Sequence, residues 1–279
     1  KSVLVRSLIG LVGAGSGAGV GGEVLFEGRD LRSLSPREFR SVLGTEIGIV
    51  FQDPMTSLNP VMKIGRQIGE GLRLNRGLDS KAAARRAVEL LNEVGIPEPE
   101  RRASQYPHEL SGGMRQRVAI AIAIACSPKL LIADEPTTAL DVTVQAQILD
   151  LLQREQRERG MAMILITHDL GVAAGRADDI MVMYAGRAVE AAATREIFRS
   201  PRMPYTEALL SSLPRLTDPT HSRLSAIPGR PPDLARRSGG CSFAPRCSYR
   251  TTQCDEQQPA LTWEAARGYA CFHPRGVSA

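Results

Sequence analysis

Short apolar runs alternate with longer amphipathic stretches along the first 200 residues of the chain. Short runs rich in Ile, Leu, Val and Met predict buried strands, because such runs are typical of a sheet interior. They lie at residues 46–51, 129–133 and 161–166. Apolar positions with helical spacing predict helices at residues 1–9, 81–94 and 143–159, with Ser80 as the cap of the second. This alternation predicts an α/β fold with a mostly parallel sheet, whose ligands bind at the carboxyl ends of the strands.

Several further segments are less regular. Residues 118–124 alternate with period two, as in a strand, but their alanine content favours a helix, which we predict here. The glycine-rich stretch 13–22 predicts a flexible connector into a short strand at 22–26, since no Lys-Ser or Lys-Thr follows the glycines. Residues 180–184 and 187–190 predict a hairpin.

The composition changes after residue 201. Repeated prolines break any long element, so residues 201–240 are predicted to be extended and linker-like. The remaining segment carries four of the five cysteines. It is too small to form a stable hydrophobic core without a cross-link such as a disulfide or a bound metal. In a cytosolic chain, such clustering favours metal binding over disulfides. Cys126, in an alanine-rich helix, is expected to be a small core residue.

Charge and hydropathy narrow the class of protein. The net charge of +5 permits an anionic partner such as a nucleotide or a lipid headgroup. No basic run with interleaved aromatic residues is present, so nucleic-acid binding is not supported. The longest apolar stretch, residues 118–126, is far shorter than the ~20 residues that span a bilayer. Any membrane role is therefore expected to come from docking on another subunit.

The candidate chemistry lies at two short sequences. Asp134-Glu135 follows the predicted strand at 129–133, and two carboxylates there are costly to bury unless they hold a cation or a reacting water. Adjacent acidic residues also occur at helix N-termini, where they interact favourably with the helix dipole. That interpretation is weak here, because Asp134 and Glu135 follow an apolar strand. Upstream, Ser111-Gly112-Gly113 leaves a backbone that can approach a phosphate closely and donate N–H groups to it.

Residues 110–117, LSGGMRQR, with Asp134-Glu135 downstream, resemble the signature loop and Walker B strand of the ATP-binding cassette (ABC) family. Lys1-Ser2 at a predicted helix start is similar to the end of the phosphate-binding loop G-x-x-x-x-G-K-[ST], so the numbering is expected to begin inside that loop. The family also has a helix after its signature, as predicted at 118–124.

The resemblance implies a domain organisation within the P-loop NTPase class. Residues 1–200 would form the nucleotide-binding domain, with a RecA-like core and a helical signature subdomain at about 53–127. Residues 201–279 would form a small Pro/Cys-rich C-terminal extension.

The resemblance also implies how ATP and Mg²⁺ are bound. Lys1 would reach the β- and γ-phosphates, and the hydroxyl of Ser2 would ligate Mg²⁺. Asp134 would orient Mg²⁺, through water, because this ion keeps much of its hydration shell. Gln52 resembles the Q-loop residue, which touches the metal and the attacking water and senses the transport subunit.

Catalysis is implied to depend on Gln52, Glu135 and His168. Glu135 would polarise the water that attacks the γ-phosphate, and His168 resembles the H-loop histidine that hydrogen-bonds this phosphate. Two cassettes of the family pair head to tail, so that Ser111, Gly112 and Gly113 would close on the ATP of the other cassette. Asp141, in a stretch that resembles the D-loop (139–141), would cross to the opposite subunit.

Two segments narrow the resemblance to the peptide/nickel importer branch. They are residues 51–60, FQDPMTSLNP, and the tail motif that starts at Cys241. The implied protein is a peripheral ATPase at the cytoplasmic face of the membrane. It would energise import of oligopeptides or dipeptides. Its partners would be a second, related ATPase, two permease subunits and an extracellular peptide-binding protein. The permeases would dock on residues 52–111. Nickel import is an alternative, and a non-transport ABC ATPase is disfavoured because tandem cassettes and coiled-coil insertions are absent from the sequence.

The tail cysteines define a second candidate site. Cys241, Cys247, Cys254 and Cys271 are separated by five, six and sixteen residues, unlike the C-x₂-C of typical zinc sites or the ferredoxin spacings. Four thiolates still suit a tetrahedral metal or a 4Fe–4S cluster. Members of the branch that resemble this tail carry such a cluster, so a cluster is favoured over zinc, disulfides come third and free thiols come last. His273 is a further possible ligand, although four thiolates complete a set.

Overall fold

The computed structural model describes residues 1–12, 21–53, 57–138, 140–214, 226–233 and 239–276. Contacts divide the chain into two compact units, Lys1–His168 and Asp169–Ala279. Most of the predicted glycine-rich connector, at residues 13–20, lies outside the described residues. The predicted domain boundary near residue 200 stays a prediction.

The first unit contains helices and strands in alternation. Its described helices are α1 Ser2–Leu8, α2 Pro36–Thr45, α3 Ile64–Arg76, α4 Ser80–Glu93, α5 Pro99–Ala103, α6 Gly112–Ile124 and α7 Val142–Arg159. Its described strands are β1 Leu25–Phe26, β2 Arg29–Asp30, β3 Ile47–Val50, β4 Leu130–Asp134 and β5 Ala162–Ile166. Strand β1 is shorter than the predicted strand at 22–26 and pairs with β2 as a small hairpin.

The strands β3, β4 and β5 form a parallel sheet in that order. The central strand β4 is buried on both faces, as its unbroken run of apolar residues predicts, and Leu131 and Ala133 are fully buried. Gly48 of β3 lies directly against the backbone carbonyl of Ala123, so a side chain larger than hydrogen would collide with α6 there. The predicted parallel sheet is therefore confirmed, and α6 packs closely against it.

The apolar helices α3, α4 and α6 share a core with the sheet. The alternating segment at 118–124 is helical, as predicted. Val118, Ile120, Ala121 and Ile124 are all fully buried, so α6 is apolar around most of its circumference and its periodicity carries little information. The predicted cap of α4 is wrong by one residue: Asp79, not Ser80, accepts the hydrogen bond from the N–H of Ala82.

The second unit is built on the predicted hairpin. Its described strands are β6 Asp179–Tyr184, β7 Arg187–Ala193, β8 Thr262–Glu264 and β9 Arg267–Tyr269, in the sheet order β6-β7-β9-β8. Its described helices are α8 Leu170–Arg176, α9 Thr194–Arg199, α10 Pro204–Ser211 and α11 Thr252–Glu256. The C-terminal strand β9 pairs with β7, so residues far apart in the sequence share one sheet.

The expectation of an extended segment over 201–240 is wrong at its start. Helix α10 begins at Pro204, a position where the missing N–H of proline costs no helical hydrogen bond. Across the part of the chain that the structure describes, every helix is too short or too polar to cross a membrane.

Candidate nucleotide-binding site

The carboxyl ends of β3, β4 and β5 bring three predicted catalytic residues together. Gln52 follows β3, Glu135 follows β4 and His168 follows β5. The Gln52 amide donates a hydrogen bond to Oε2 of Glu135 at 3.1 Å, and His168 Nδ1 lies 3.3 Å from the same oxygen. Because the strands are parallel, residues that are 116 positions apart in the sequence (52 and 168) meet at one carboxylate.

Glu135 has an unusual backbone conformation. Its φ is +46°, in the left-handed region that non-glycine residues rarely adopt, at a cost on the order of 1–3 kcal/mol. Its N–H still donates to the carbonyl of Ile166 at 3.0 Å, so the turn begins without loss of the contact to β5. The hydroxyl of Thr138 also donates to Oε2 of Glu135, at 3.1 Å. The strained turn therefore holds one carboxylate oxygen among three polar side chains.

The start of the chain lies at the same edge of the sheet. The hydroxyl of Ser2 donates to Oδ1 of Asp134 at 3.0 Å, and Asp134 is 2% exposed. The ammonium group of Lys1 donates to the backbone carbonyl of Thr167 at 2.7 Å, just past the end of β5. A cation, a hydroxyl and a buried carboxylate thus stand beside the Glu135 group.

This donor set suits Mg²⁺ with a phosphate ligand. Mg²⁺ prefers oxygen ligands and is commonly held by one or two carboxylates together with phosphates and water. The hydroxyl of Ser2, the carboxylate of Asp134 and the amide oxygen of Gln52 are ligands of that kind. Within the described ranges, no three His, Cys, Asp or Glu side chains are grouped closely enough to hold a metal ion without further ligands.

The signature and D-loop residues cap two helices of the first unit. Ser111 caps α6, where its hydroxyl accepts from the N–H of Met114 at 3.4 Å, and Asp141 caps α7, where it accepts from the N–H of Val144 at 2.9 Å. Among the described hydrogen bonds, neither residue joins the group at Glu135. Ser111, Gly112 and Asp141 are exposed, and Ala139 lies outside the described residues, as do residues 54–56 of the predicted branch motif.

The four tail cysteines line one cavity of the second unit, together with His273 and Tyr249. All four are free thiols. Burial raises the pKa of Cys241 and Cys247, and it raises the pKa of Cys271 to about 11. The backbone N–H of His273 donates to the sulfur of Cys271 at 3.3 Å.

The cavity does not contain a preformed metal site. Among the described residues, no three His, Cys, Asp or Glu side chains are grouped so that they could hold a metal ion, so neither zinc nor the favoured iron–sulfur cluster is matched by a preformed ligand group. The four free thiols line one cavity, and thiols are the donor type that both groups use.

Two contacts, one at this site and one in the second unit, are not predicted by the sequence. The hydroxyl of Thr138 contacts Glu135, although a threonine in a turn gives no signal of such a role.

In the second unit, Glu190 is fully buried and accepts three hydrogen bonds. The backbone N–H groups of Arg202 and Met203 donate at 2.6 and 3.0 Å, and the guanidinium of Arg267 donates at 3.0 Å. A glutamate within a strand predicts none of these contacts.

The fold and this edge of the sheet define a nucleotide-binding cassette of the ABC class. Residues 1–138 match the ABC transporter family, and residues 189–254 match the oligopeptide/dipeptide transporter C-terminal region.

Curated relatives support both matches. A peptide import ATP-binding protein of Brucella melitensis is 52% identical over 271 residues, which cover 94% of this chain and 80% of the relative. The oligopeptide transport ATP-binding protein OppD of Bacillus subtilis is 54% identical over 261 residues, which cover 94% of this chain and 73% of OppD. The chain therefore belongs to the ABC ATPases of the oligopeptide/dipeptide transporter branch, as its motifs predict.

Solved structures agree with the fold. The chain is similar to the ATP-binding cassette MJ0796 bound to ADP and Pi, a dimeric structure, with a TM-score of 0.60 and 30% identity over 70% of this chain and 80% of that one. It is also similar to cbiO1 of Clostridium perfringens, part of the cbiONQ transporter complex, with a TM-score of 0.59 and 31% identity over 71% and 74% of the two chains.

Proposed function

We propose that this chain is the ATPase subunit that energises import of oligopeptides or dipeptides through an ABC transporter. The observation that carries the proposal is the carboxylate of Glu135, held by Gln52 and His168 beside the Ser2–Asp134 pair. The match to the oligopeptide/dipeptide C-terminal region and the names of the curated relatives support peptides as cargo.

Binding of Mg²⁺ and ATP is assigned to the start of the chain and the end of β4. Lys1 would exchange the carbonyl of Thr167 for phosphate oxygens, because a charged acceptor forms the stronger hydrogen bond with an ammonium group. Ser2, Asp134 and Gln52 would hold Mg²⁺, which neutralises charge on the phosphates. The buried Ser2–Asp134 pair keeps a hydroxyl and a carboxylate together before any ligand arrives.

Glu135 is assigned the role of orienting and polarising the attacking water. Phosphoryl transfer depends on positioning and charge neutralisation, so one well-held carboxylate suffices. Gln52 and His168 both contact Oε2 of this carboxylate, and the side chain of His168 is 74% exposed, so it has room to turn toward a γ-phosphate. These roles follow from the contacts at Oε2 together with the family's motifs.

The exposed signature and D-loop residues are assigned to a second cassette. Ser111, Gly112, Gly113 and Asp141 would complete the nucleotide site of a related ATPase that pairs head to tail with this chain. The dimeric MJ0796 structures support such pairing in the class. Two membrane permeases and an extracellular peptide-binding protein would complete the importer, with this chain at the cytoplasmic face of the membrane.

The cysteine cavity is assigned a 4Fe–4S cluster held by Cys241, Cys247, Cys254 and Cys271. The common cavity and the N–H donors to its sulfurs support this. Chemical analysis of protein purified without oxygen should give about four iron and about four sulfide per chain. Replacement of Cys254 by Ser should lower both. Stoichiometric zinc, or no metal with full activity, would contradict the assignment.

The proposed function predicts a specific loss of turnover. In the complex reconstituted with its permeases and partner ATPase, Glu135→Gln is expected to lower the ATPase rate by at least about a hundredfold at the altered site, because the amide is a poor acceptor for the water proton. Binding of ATP should remain. Glu158→Gln is a matched control, since Glu158 lies on the surface of α7, outside residues 52–111, and pairs with Arg154.

The result that contradicts the proposal is unchanged turnover in Glu135→Gln. The cargo is tested in the same complex with wild-type ATPase. Stimulation by the binding protein loaded with peptide supports import of peptides, whereas stimulation only by Ni²⁺-loaded protein would assign the chain to the nickel alternative.

A further inference from the structure

The first turn of the signature helix packs directly on the helix that follows the D-loop. A Cβ atom built on Gly113 of α6 would lie 2.9 Å from Cγ1 of Val144 in α7, which is closer than real Cβ contacts. Valine is stiff about χ1, so its methyl group cannot easily turn away. The absence of a side chain at residue 113 therefore allows the two helices to touch.

The neighbouring glycine behaves differently. A Cβ atom on Gly112 would lie 3.7 Å from Cδ2 of Leu140, which is an ordinary van der Waals distance. The two glycines of the signature thus differ in their surroundings within this chain. Val144 leaves no room for a methyl group on Gly113, whereas Gly112 has room for one.

A second link lies one turn further along both helices. The guanidinium of Arg117 donates to the carbonyl of Val94 at 2.6 Å and to Oε1 of Gln147 at 3.3 Å. Residues 113 and 117 are four apart on α6, and residues 144 and 147 are three apart on α7, so each pair lies on one helix face. The contacts Gly113–Val144 and Arg117–Gln147 form a continuous seam, which we call the α6–α7 seam.

The two exposed loops begin where this seam begins. The cap Ser111 is two residues before Gly113, and the cap Asp141 is three residues before Val144. Both loops are therefore tied by their own caps to helix ends that contact each other. A displacement of one loop requires either a break in the seam or an equal displacement of the other loop.

We propose that Val144 and Gln147 are positioning residues that hold the signature loop at a fixed distance from the D-loop, so that both approach the nucleotide of the second cassette as one rigid surface. This inference rests on the proposed function, because it assigns a role to loops that act on another cassette. Gly113 is required, in this view, mainly by the packing of Val144 and not only by approach to a phosphate.

Unfolding measurements on the purified chain test the contact itself. Gly→Ala within a helix normally stabilises the fold, but Gly113→Ala is expected to raise the unfolding equilibrium constant on the order of tenfold, because the new methyl group overpacks against Val144. In the Val144→Ala background the same change should be neutral or stabilising. Gly112→Ala is the matched control and should not destabilise the chain. If Gly113→Ala changed the unfolding equilibrium constant equally in the wild-type and Val144→Ala backgrounds, the proposed contact between residues 113 and 144 would be wrong.

Turnover in the reconstituted complex tests the positioning role. Val144→Ala and Gln147→Ala should each lower kcat on the order of tenfold through a loosened loop, with the KM for ATP changed by less than about threefold. Val144→Thr keeps the branched shape of the side chain beside Gly113 and should stay within about threefold of the wild-type kcat. A general structural defect would not separate kcat from KM in this way.

The possible failures are distinguishable. Val144→Ala and Gln147→Ala that turn over as fast as the wild type, in a complex whose wild type hydrolyses ATP, overturn the seam's role and leave the proposed function standing. A wild-type complex without ATPase activity overturns the proposed function and the role of the seam with it.

Discussion

At the scale of single residues, the carboxylate of Glu135 organises the site. Its identity as the catalytic candidate followed from its place after an apolar strand. Its left-handed backbone and its contacts with Gln52, His168 and Thr138 did not, because they depend on how three strand ends meet in space. Sequence motifs thus name the candidate residues, and the fold supplies their mutual orientation.

Ser2 offers a prediction at this scale. Its hydroxyl is a proposed Mg²⁺ ligand and contacts the buried carboxylate of Asp134, so Ser2→Ala removes one oxygen ligand and one donor to that carboxylate. Ser2→Ala should therefore raise the Mg²⁺ concentration for half-maximal ATP binding by roughly tenfold, which corresponds to about 1.4 kcal/mol.

The control comes from the same helix. Ser7→Ala removes a hydroxyl that bonds only within α1 among the described contacts, to the carbonyl of Val3, and should leave the Mg²⁺ dependence unchanged. Titration of Mg²⁺ with a fluorescent ATP analogue measures both variants. Equal Mg²⁺ dependence of Ser2→Ala and wild type would show that Ser2 is not a ligand.

At the scale of elements, apolar runs predicted the strands β3, β4 and β5 and the helix α6. Burial explains the ambiguous pattern of residues 118–124. Helix α6 packs against the core around most of its circumference, so its apolar residues need not follow the helical period. Helix α10 is not predicted if every proline is treated as a helix breaker, because Pro204 occupies a first helical position. The pairing of β9 with β7 joins residues about 80 positions apart and has no local signal.

The cap of α4 gives the prediction at this scale. Asp79 accepts from the N–H of Ala82, so Asp79→Ala should lower the free energy of unfolding by about 1 kcal/mol. Ser80→Ala, at the next position, should change it by less than about 0.5 kcal/mol, since Ser80 is exposed and already inside the helix. Urea unfolding of the two variants decides between them, and a larger loss for Ser80→Ala would favour the cap expected from sequence.

At the scale of the whole molecule, the chain consists of two compact units, each with one candidate site. The first carries the candidate nucleotide residues, and the second carries the cysteine cavity on a sheet that includes the C-terminal strands β8 and β9. The motifs predict two candidate sites in this order along the chain, whereas the domain boundary near residue 200 stays a prediction. The second cassette could be inferred only from the family resemblance, because Ser111 and Asp141 have no partner at the Glu135 group among the described contacts of one chain.

The most direct test of the central claim is the structure of the Glu135→Gln complex trapped with Mg²⁺ and ATP. The account predicts Lys1, Ser2 and Asp134 at one Mg²⁺–ATP, with the signature serine of the partner cassette on its γ-phosphate, and Ser111 of this chain on the partner's nucleotide. A trapped complex in which Asp134 lies away from the ion, or in which Ser111 contacts no γ-phosphate, would contradict it.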